Sequence, residues 1–313
     1  MDAAESYSYP GEKPDLKDAF RLVKVQPGER GAPITVHLLT SSLHRCPQYE
    51  ALSYAWGDSK QTEIINVVAF ASRGNTSSMT PLSVTRSCAA ALRRLRLPTK
   101  QRMLWIDAIC IDQSAVPERN HQSGLMPRTY SKASSVVVYL GESSEAENSD
   151  DAMDWLGESQ EYLLASAFQT VPGSIPSLLR WPWFERTWVL QEIQRASRAT
   201  VVFGTREVSW EAFDELRYMV DNDSRAEPPP YAVTQANKGE MRQETWVPPY
   251  PVRLLNILQK TRYLEATDAR DKLYAVLPLL DREDKRRNWT VDAGKRKHAL
   301  FAIPKGDYSR SPA

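Results

Sequence analysis

The stretch Tyr49-Glu-Ala-Leu-Ser-Tyr-Ala-Trp-Gly-Asp58 decides the fold. Ala51 to Trp56 suits a buried strand, and Gly57-Asp58 then breaks it. A strand that ends in Ser53, Tyr54, Trp56, Gly57 and Asp58 carries polar and aromatic groups to its carboxyl end. In open α/β sheets that end is where ligands bind. A strand closed by an ordinary turn is the competing reading.

Working outward, Met103-Leu-Trp-Ile-Asp107 is an apolar run closed by a carboxylate, and it reads as a second buried parallel strand. Asp107 is either a site residue or a cap for the following turn. Val136 to Leu140 is a third run, closed by Gly141. Ala199 to Phe203 is a fourth, followed by a Gly204-Thr205 turn and a return over Arg206 to Ser209. Helical spacing lies between these runs. Pro81 to Leu97 repeats Val84, Cys88, Ala91, Leu92 and Leu95, with Thr80 or Ser83 as its cap. Pro117 to Lys132 reads as a helix interrupted near Gly124 and Pro127, and Asp151 to Ala165 as an amphipathic one. Strands alternating with helices from 50 to 203 predict an α/β fold, a parallel sheet with helices on both faces.

Upstream, Phe20 to Val25 and Ile34 to Leu39 predict a β-hairpin, and Ile64 to Val68 a short strand before the polar loop Ser72 to Thr80. Downstream, Trp210–Val220, Val252–Leu264 and Asp268–Leu280 read as helical, which makes the C-terminal region helical. The expected organisation is a mobile polar N-terminus over 1–19, an α/β core over 20–220, an irregular Pro-rich loop over 221–250, a helical part of the same domain over 251–280 and a charged tail over 281–313.

Trp181 to Ala196, WPWFERTWVLQEIQRA, holds three of the nine tryptophans. After Pro182 nothing in it argues against a helix. On a wheel of about 3.6 residues per turn, Val189, Ile193 and Ala196 form an apolar stripe, with Leu190 beside it. Trp188, Gln191, Glu192 and Arg195 share another face, which gathers an indole, an amide, a carboxylate and a guanidinium. The plainer reading is a Trp188 that packs on a neighbour while Glu192 pairs with Arg195 at i,i+3.

Composition excludes several classes. The formal net charge over 313 residues is +1, which argues against a nucleic-acid binder driven by counterion release. Cys46, Cys88 and Cys110 are scattered and odd in number, as expected for free thiols in a reducing compartment. The N-terminus lacks a signal-peptide pattern, and no run approaches the ~18 apolar residues of a membrane span. A cytoplasmic protein with no membrane span is expected. No GxGxxG, GxxxxGK[ST] or GxSxG motif is present. His37, His44 and Cys46 lack an evident fourth ligand, so no metal site is expected. Chemistry here must rest on carboxylates, arginines and aromatics.

The motifs YEALSYAWGD (49–58), LWIDAICIDQ (104–113), ER–HQ–M–YSKA (118–133), VVVYLG (136–141), WFERTWVLQEI (183–193) and TDARDKLYAVL (267–277) occur in one order. Together they resemble the fungal heterokaryon-incompatibility (HET) domain, over about Phe20 to Leu280. Asp112 departs from the family's usual Asn. The resemblance implies nonself recognition and programmed cell death. It also implies kinship with Toll/interleukin-receptor (TIR) domains, and hence a TIR-like or flavodoxin-like sheet. Carried over by TWVLQEI, the glutamate of TIR enzymes falls on Glu192.

The activity this resemblance implies is hydrolysis of NAD at the nicotinamide–ribose bond, with NAD as substrate and no resident cofactor. Glu192 would stand beside the ribose, and Trp188 or Trp56 would stack on a ring. Ser53, Tyr54, Gly57 and Asp58 would line the pocket, Asp107 would orient a hydroxyl, and Arg119 or Arg186 would meet phosphates. The alternative is a non-enzymatic TIR-like signalling or oligomerisation module. Self-association and other incompatibility proteins are the partners either reading suggests.

Overall fold

The computed structural model describes residues 7–9, 17–68, 79–143, 149–162, 173–213 and 250–280. The expectations for most of the N-terminus, the 221–250 loop and the 281–313 tail lie outside these residues, as do those for most of the 72–80 loop and for 214–220.

Among the described residues nine strands form one sheet: β1 (Ala19–Val25), β2 (Thr35–Ser42), β3 (Glu50–Tyr54), β4 (Thr62–Val68), β5 (Met79–Thr85), β6 (Arg102–Trp105), β7 (Ser135–Gly141), β8 (Ala199–Phe203) and β9 (Arg206–Ser209). Their order is β5-β4-β2-β1-β6-β3-β7-β8-β9. The helices are α1 (Arg86–Leu95), α2 (Asp107–Cys110), α3 (Val116–Lys132), α4 (Ser149–Tyr162), α5 (Ser174–Leu179), α6 (Pro182–Glu185), α7 (Val189–Gln194), α8 (Tyr250–Thr261) and α9 (Asp271–Tyr274). A 3-10 turn follows at Leu277–Leu279.

The α/β expectation holds, and β6, β3, β7 and β8 are the four parallel strands expected. Ala51, Leu52, Val136 and Val138 are essentially unexposed. Each large apolar side chain so buried contributes about 1.5–3 kcal/mol, which is why continuous apolar runs occupy the centre. The sheet as a whole is mixed, however. β1 pairs antiparallel with both β2 and β6, β4 runs parallel to β2, and β5 and β9 close the two edges antiparallel.

From β3 the chain runs through β4 and β5 at the far edge and returns by α1 to β6 on one side of β3, then crosses to β7 on the other. β3 and β7 therefore flank a switch point, since β6 and β7 lie on opposite sides of β3. α7 packs with α3.

Three local expectations are corrected. The helix expected from Pro81 begins only at Arg86, because Leu82 and Val84 alternate inward as β5, a strand that pairs with β4 along its length. Thr85, the last residue of that strand, caps α1 by accepting from the Cys88 amide at 3.3 Å. α3 runs unbroken through Gly124 and Pro127, with Leu125, Met126, Thr129 and Tyr130 buried along it. The stretch from Pro182 is two short helices rather than one, since Arg186 is extended and bridges Glu265. The Thr187 amide and hydroxyl both donate to the Glu265 carbonyl, at 3.0 and 2.9 Å. A strand-like contact from a distant segment thus replaces the helical hydrogen bonds at this step.

Candidate functional site

The site grows from the carboxyl ends of β3 and β6. Ser53 and Tyr54 close β3 and are both buried. Ile106 continues β6, and Asp107 opens α2 directly after it. α6 supplies Trp183, the extended step after it Arg186, and α7 Glu192.

Glu192 is 1% exposed. Its Oε2 accepts from the Ser53 hydroxyl, and Ser53 Oγ in turn accepts from Trp183 Nε1 at 2.7 Å. The serine thus accepts from the indole through one lone pair and spends its single proton on the carboxylate. Arg186 Nη2 stands 3.8 Å from Glu192 Oε1, while Nη1 donates to the Tyr54 carbonyl. Burial pushes the Glu192 carboxyl above its usual range; Arg186 and the Ser53 bond oppose the shift, and the charge of Asp107 adds to it.

Asp107 is the second carboxylate. Its Oδ1 accepts from the Ala108 amide at 2.7 Å and its Oδ2 from Trp56 Nε1 at 2.9 Å. It stands at the first position of α2, whose N-cap is Ile106 with no side-chain capping bond, and joins the cluster through Trp56. Its carboxyl is also raised by burial, against the pull of Arg186. Tyr130 of α3 donates to the Leu52 carbonyl at 3.1 Å, and its phenol is pushed far up by burial, with both carboxylates adding to the shift.

The structure thus brings Ser53, Tyr54, Trp56, Asp107, Arg186 and Glu192 together. Gly57 and Asp58 form the exposed turn beside them. Gly57 takes φ +71°, the left-handed region that favours glycine, and Asp58 accepts from the Lys60 amide at 2.9 Å. Trp188 is half-buried at the start of α7, where its carbonyl accepts from the Gln191 and Glu192 amides. Arg119 lies towards Asp268, whose carboxyl is held low by Arg270 first and by Arg119 more weakly. Arg195 donates to the Pro278 carbonyl, and Arg186 is the cation that acts on Glu192.

Two members were not singled out in the sequence. Trp183 lies in the tryptophan-rich stretch, but its role depends on Ser53, 130 residues away. Tyr130 sits in the YSKA motif with nothing local to mark it. Chemically the cluster offers two desolvated carboxylates of raised proton affinity, one guanidinium between β3 and α7, and an indole at the partly exposed edge.

Residues 49–192 match the family model described as heterokaryon incompatibility protein (HET). The matched span opens on Tyr49 and closes on Glu192. Over 214 residues the chain is 31% identical to heterokaryon incompatibility protein 6, OR allele, of Neurospora crassa, across 55% of this chain and 31% of that relative. The aligned part is under a third of the relative's length. No solved structure matches the chain.

Proposed function

We propose that this chain, which belongs to the heterokaryon incompatibility family through residues 49–192, acts in fungal nonself recognition by cleaving a nucleotide of the NAD type with Glu192. The supporting observation is the convergence of Glu192 and Asp107 with Arg186 at the carboxyl ends of β3 and β6. Ligands of doubly wound sheets bind beyond those ends.

In the reaction the ribose C1′–nitrogen bond breaks, and nicotinamide leaves neutral with the bonding pair. Oxocarbenium character develops on the ribose, and ionised Glu192 stabilises it. Water then adds its oxygen to C1′ and yields its proton to the Glu192 carboxylate, whose raised proton affinity suits that step. Ser53 fixes the carboxylate's orientation, and Asp107 orients a ribose hydroxyl. Arg186 and Trp56, the partly exposed members, border the way in; a substrate must displace them to reach a carboxylate that is 1% exposed. Cytoplasmic action, self-association and a link to cell death belong to the same proposal.

One observation favours a second reading, a signalling module without turnover. Glu192 is closed in by Ser53, Trp183 and Arg186, as a purely structural carboxylate would be. The two readings part on NAD consumption by purified chain at concentrations that permit self-association. Nicotinamide release by wild type, lost at least about a hundredfold in Glu192→Ala with the fold retained by circular dichroism, is expected for the enzyme. Retained turnover in that variant removes Glu192 from the chemistry. No release from folded, concentrated wild type favours the signalling module.

A further inference from the structure

A second site lies away from the carboxylate pair, where the β1–β2 loop meets the end of α1 and the β8–β9 turn. A cleft of about 340 Å³ opens there, lined by Gly28, Glu29, Arg30, Arg93, Arg94, Arg96, Pro98 and Thr205. Four guanidiniums face one carboxylate, Glu29. The partner carboxylates of these arginines, Glu142 for Arg30, Glu63 for Arg93 and Glu207 for Arg94, are not part of the lining.

Each arginine is anchored at one end and has donors left over. Among the described residues, Arg30 and Arg93 each use only Nη2. Arg94 uses Nε on the Gly204 carbonyl and Nη2 on Thr205 and Glu207, which leaves Nη1. Arg96 is 7% exposed, and among the described residues it bonds to backbone carbonyls and to no carboxylate. Its Nη1 donates to Pro33 at 2.9 Å, and its Nη2 to the carbonyls of Glu29, Arg30 and Ala32. Its Nε is buried without a partner among the described residues. Gly28 lies against this guanidinium so closely that a Cβ there would come within 3.4 Å of Nη1. A larger residue would cover the cation from the cleft side. At the end of α1 the Leu95 carbonyl accepts from Arg102, and just beyond the helix the Leu97 carbonyl accepts from the Gly28 amide.

We propose that this cleft binds a small diphosphate-bearing anion, with Arg96 as the fixed cation at its base and Arg30 and Arg93 closing on the outer phosphate. Guanidinium forks match phosphate oxygens in pairs, and the spare donors here come from different side chains around one concave surface. A single phosphate engages fewer of them than two linked phosphates do.

The test is isothermal titration calorimetry of the full chain with inorganic pyrophosphate, orthophosphate and ADP as probes. One-site binding of pyrophosphate is expected, at least about tenfold tighter than orthophosphate and weakened by added salt. Arg30 and Arg93 are partly exposed, so the Arg30→Ala/Arg93→Ala double variant should keep its melting temperature and lose about tenfold or more in affinity. Glu142→Gln, which frees Arg30, should tighten binding. ADP tighter than pyrophosphate supports a nucleotide as the natural ligand, and equal affinity supports a diphosphate read by its phosphates alone. No saturable pyrophosphate binding to folded chain, or binding unchanged in the double variant, overturns the proposal. NAD turnover and Glu192 do not enter this readout, so it stands or falls separately from the nucleotide-cleavage reading.

Discussion

Glu192 shows how a single residue acquires its properties from its surroundings. Desolvation raises its carboxyl, and neither Arg186 at 3.8 Å nor the Ser53 bond fully offsets that. An acid whose folded pKa lies above its unfolded value is favoured by protonation in the native state. Its contribution to stability is complete below the ordinary glutamate range and is lost as pH rises from there through the raised folded pKa. Asp107 shifts in the same direction and adds to the slope. Urea denaturation from pH 4 upward should therefore show wild type losing stability relative to Glu192→Gln, which has no proton to release. An unchanged difference across that range would mean that the carboxyl is not raised. Surface carboxylates such as Glu63, held low chiefly by the Arg93 hydrogen bond, give the opposite slope at acid pH, and both proteins share them.

Among the elements, β8 and β9 form the hairpin most exposed to a single substitution. Gly204 takes φ +54° in its turn, and a Cβ there would lie 2.5 Å from Ser143 Cβ and 2.9 Å from the Ser143 amide nitrogen. Backbone strain and a backbone clash coincide. Gly204→Ala should cost about 2 kcal/mol or more in chemical denaturation. A loss under about 0.5 kcal/mol would show that the turn relaxes freely. The Gly204-Thr205 turn was legible in the sequence, since glycine punctuates a β-rich run. β5 was not legible as a strand. Its residues also fit a helical repeat, and only pairing with β4 selects the alternating pattern.

Across the whole molecule, the N-terminal hairpin is fastened to the α/β core by a buried ion pair. Arg21 of β1 meets Glu118 of α3, with side chains 7% exposed on each side. Arg21 also donates to the Cys110 carbonyl at 3.1 Å, and Glu118 accepts from the Asp112 amide at 2.7 Å. Removing one partner leaves a desolvated charge behind. Glu118→Ala should destabilise the protein by about 3–5 kcal/mol, read as a lower urea midpoint. The Arg21→Met/Glu118→Leu double variant should recover much of that loss. If the single variant costs less than the double, the pair is not buried as described.

By itself the sequence determined the four central strands, the N-terminal hairpin and Asp107 as the carboxylate that closes an apolar run. Buried parallel strands need unbroken apolar runs, and such runs are visible without a partner. Tertiary structure alone decided the rest. The break between α6 and α7 comes from Glu265, 78 residues beyond Thr187. The Ser53 contact reaches Glu192 across 139 residues, and the Arg21 contact reaches Glu118 across 97. Local propensity has no access to such contacts, because the competing hydrogen bond or charge belongs to another element. The helix wheel grouped Glu192 with Trp188, Gln191 and Arg195, while its guanidinium and hydroxyl partners, Arg186 and Ser53, were fixed only when β3, α6 and α7 came together.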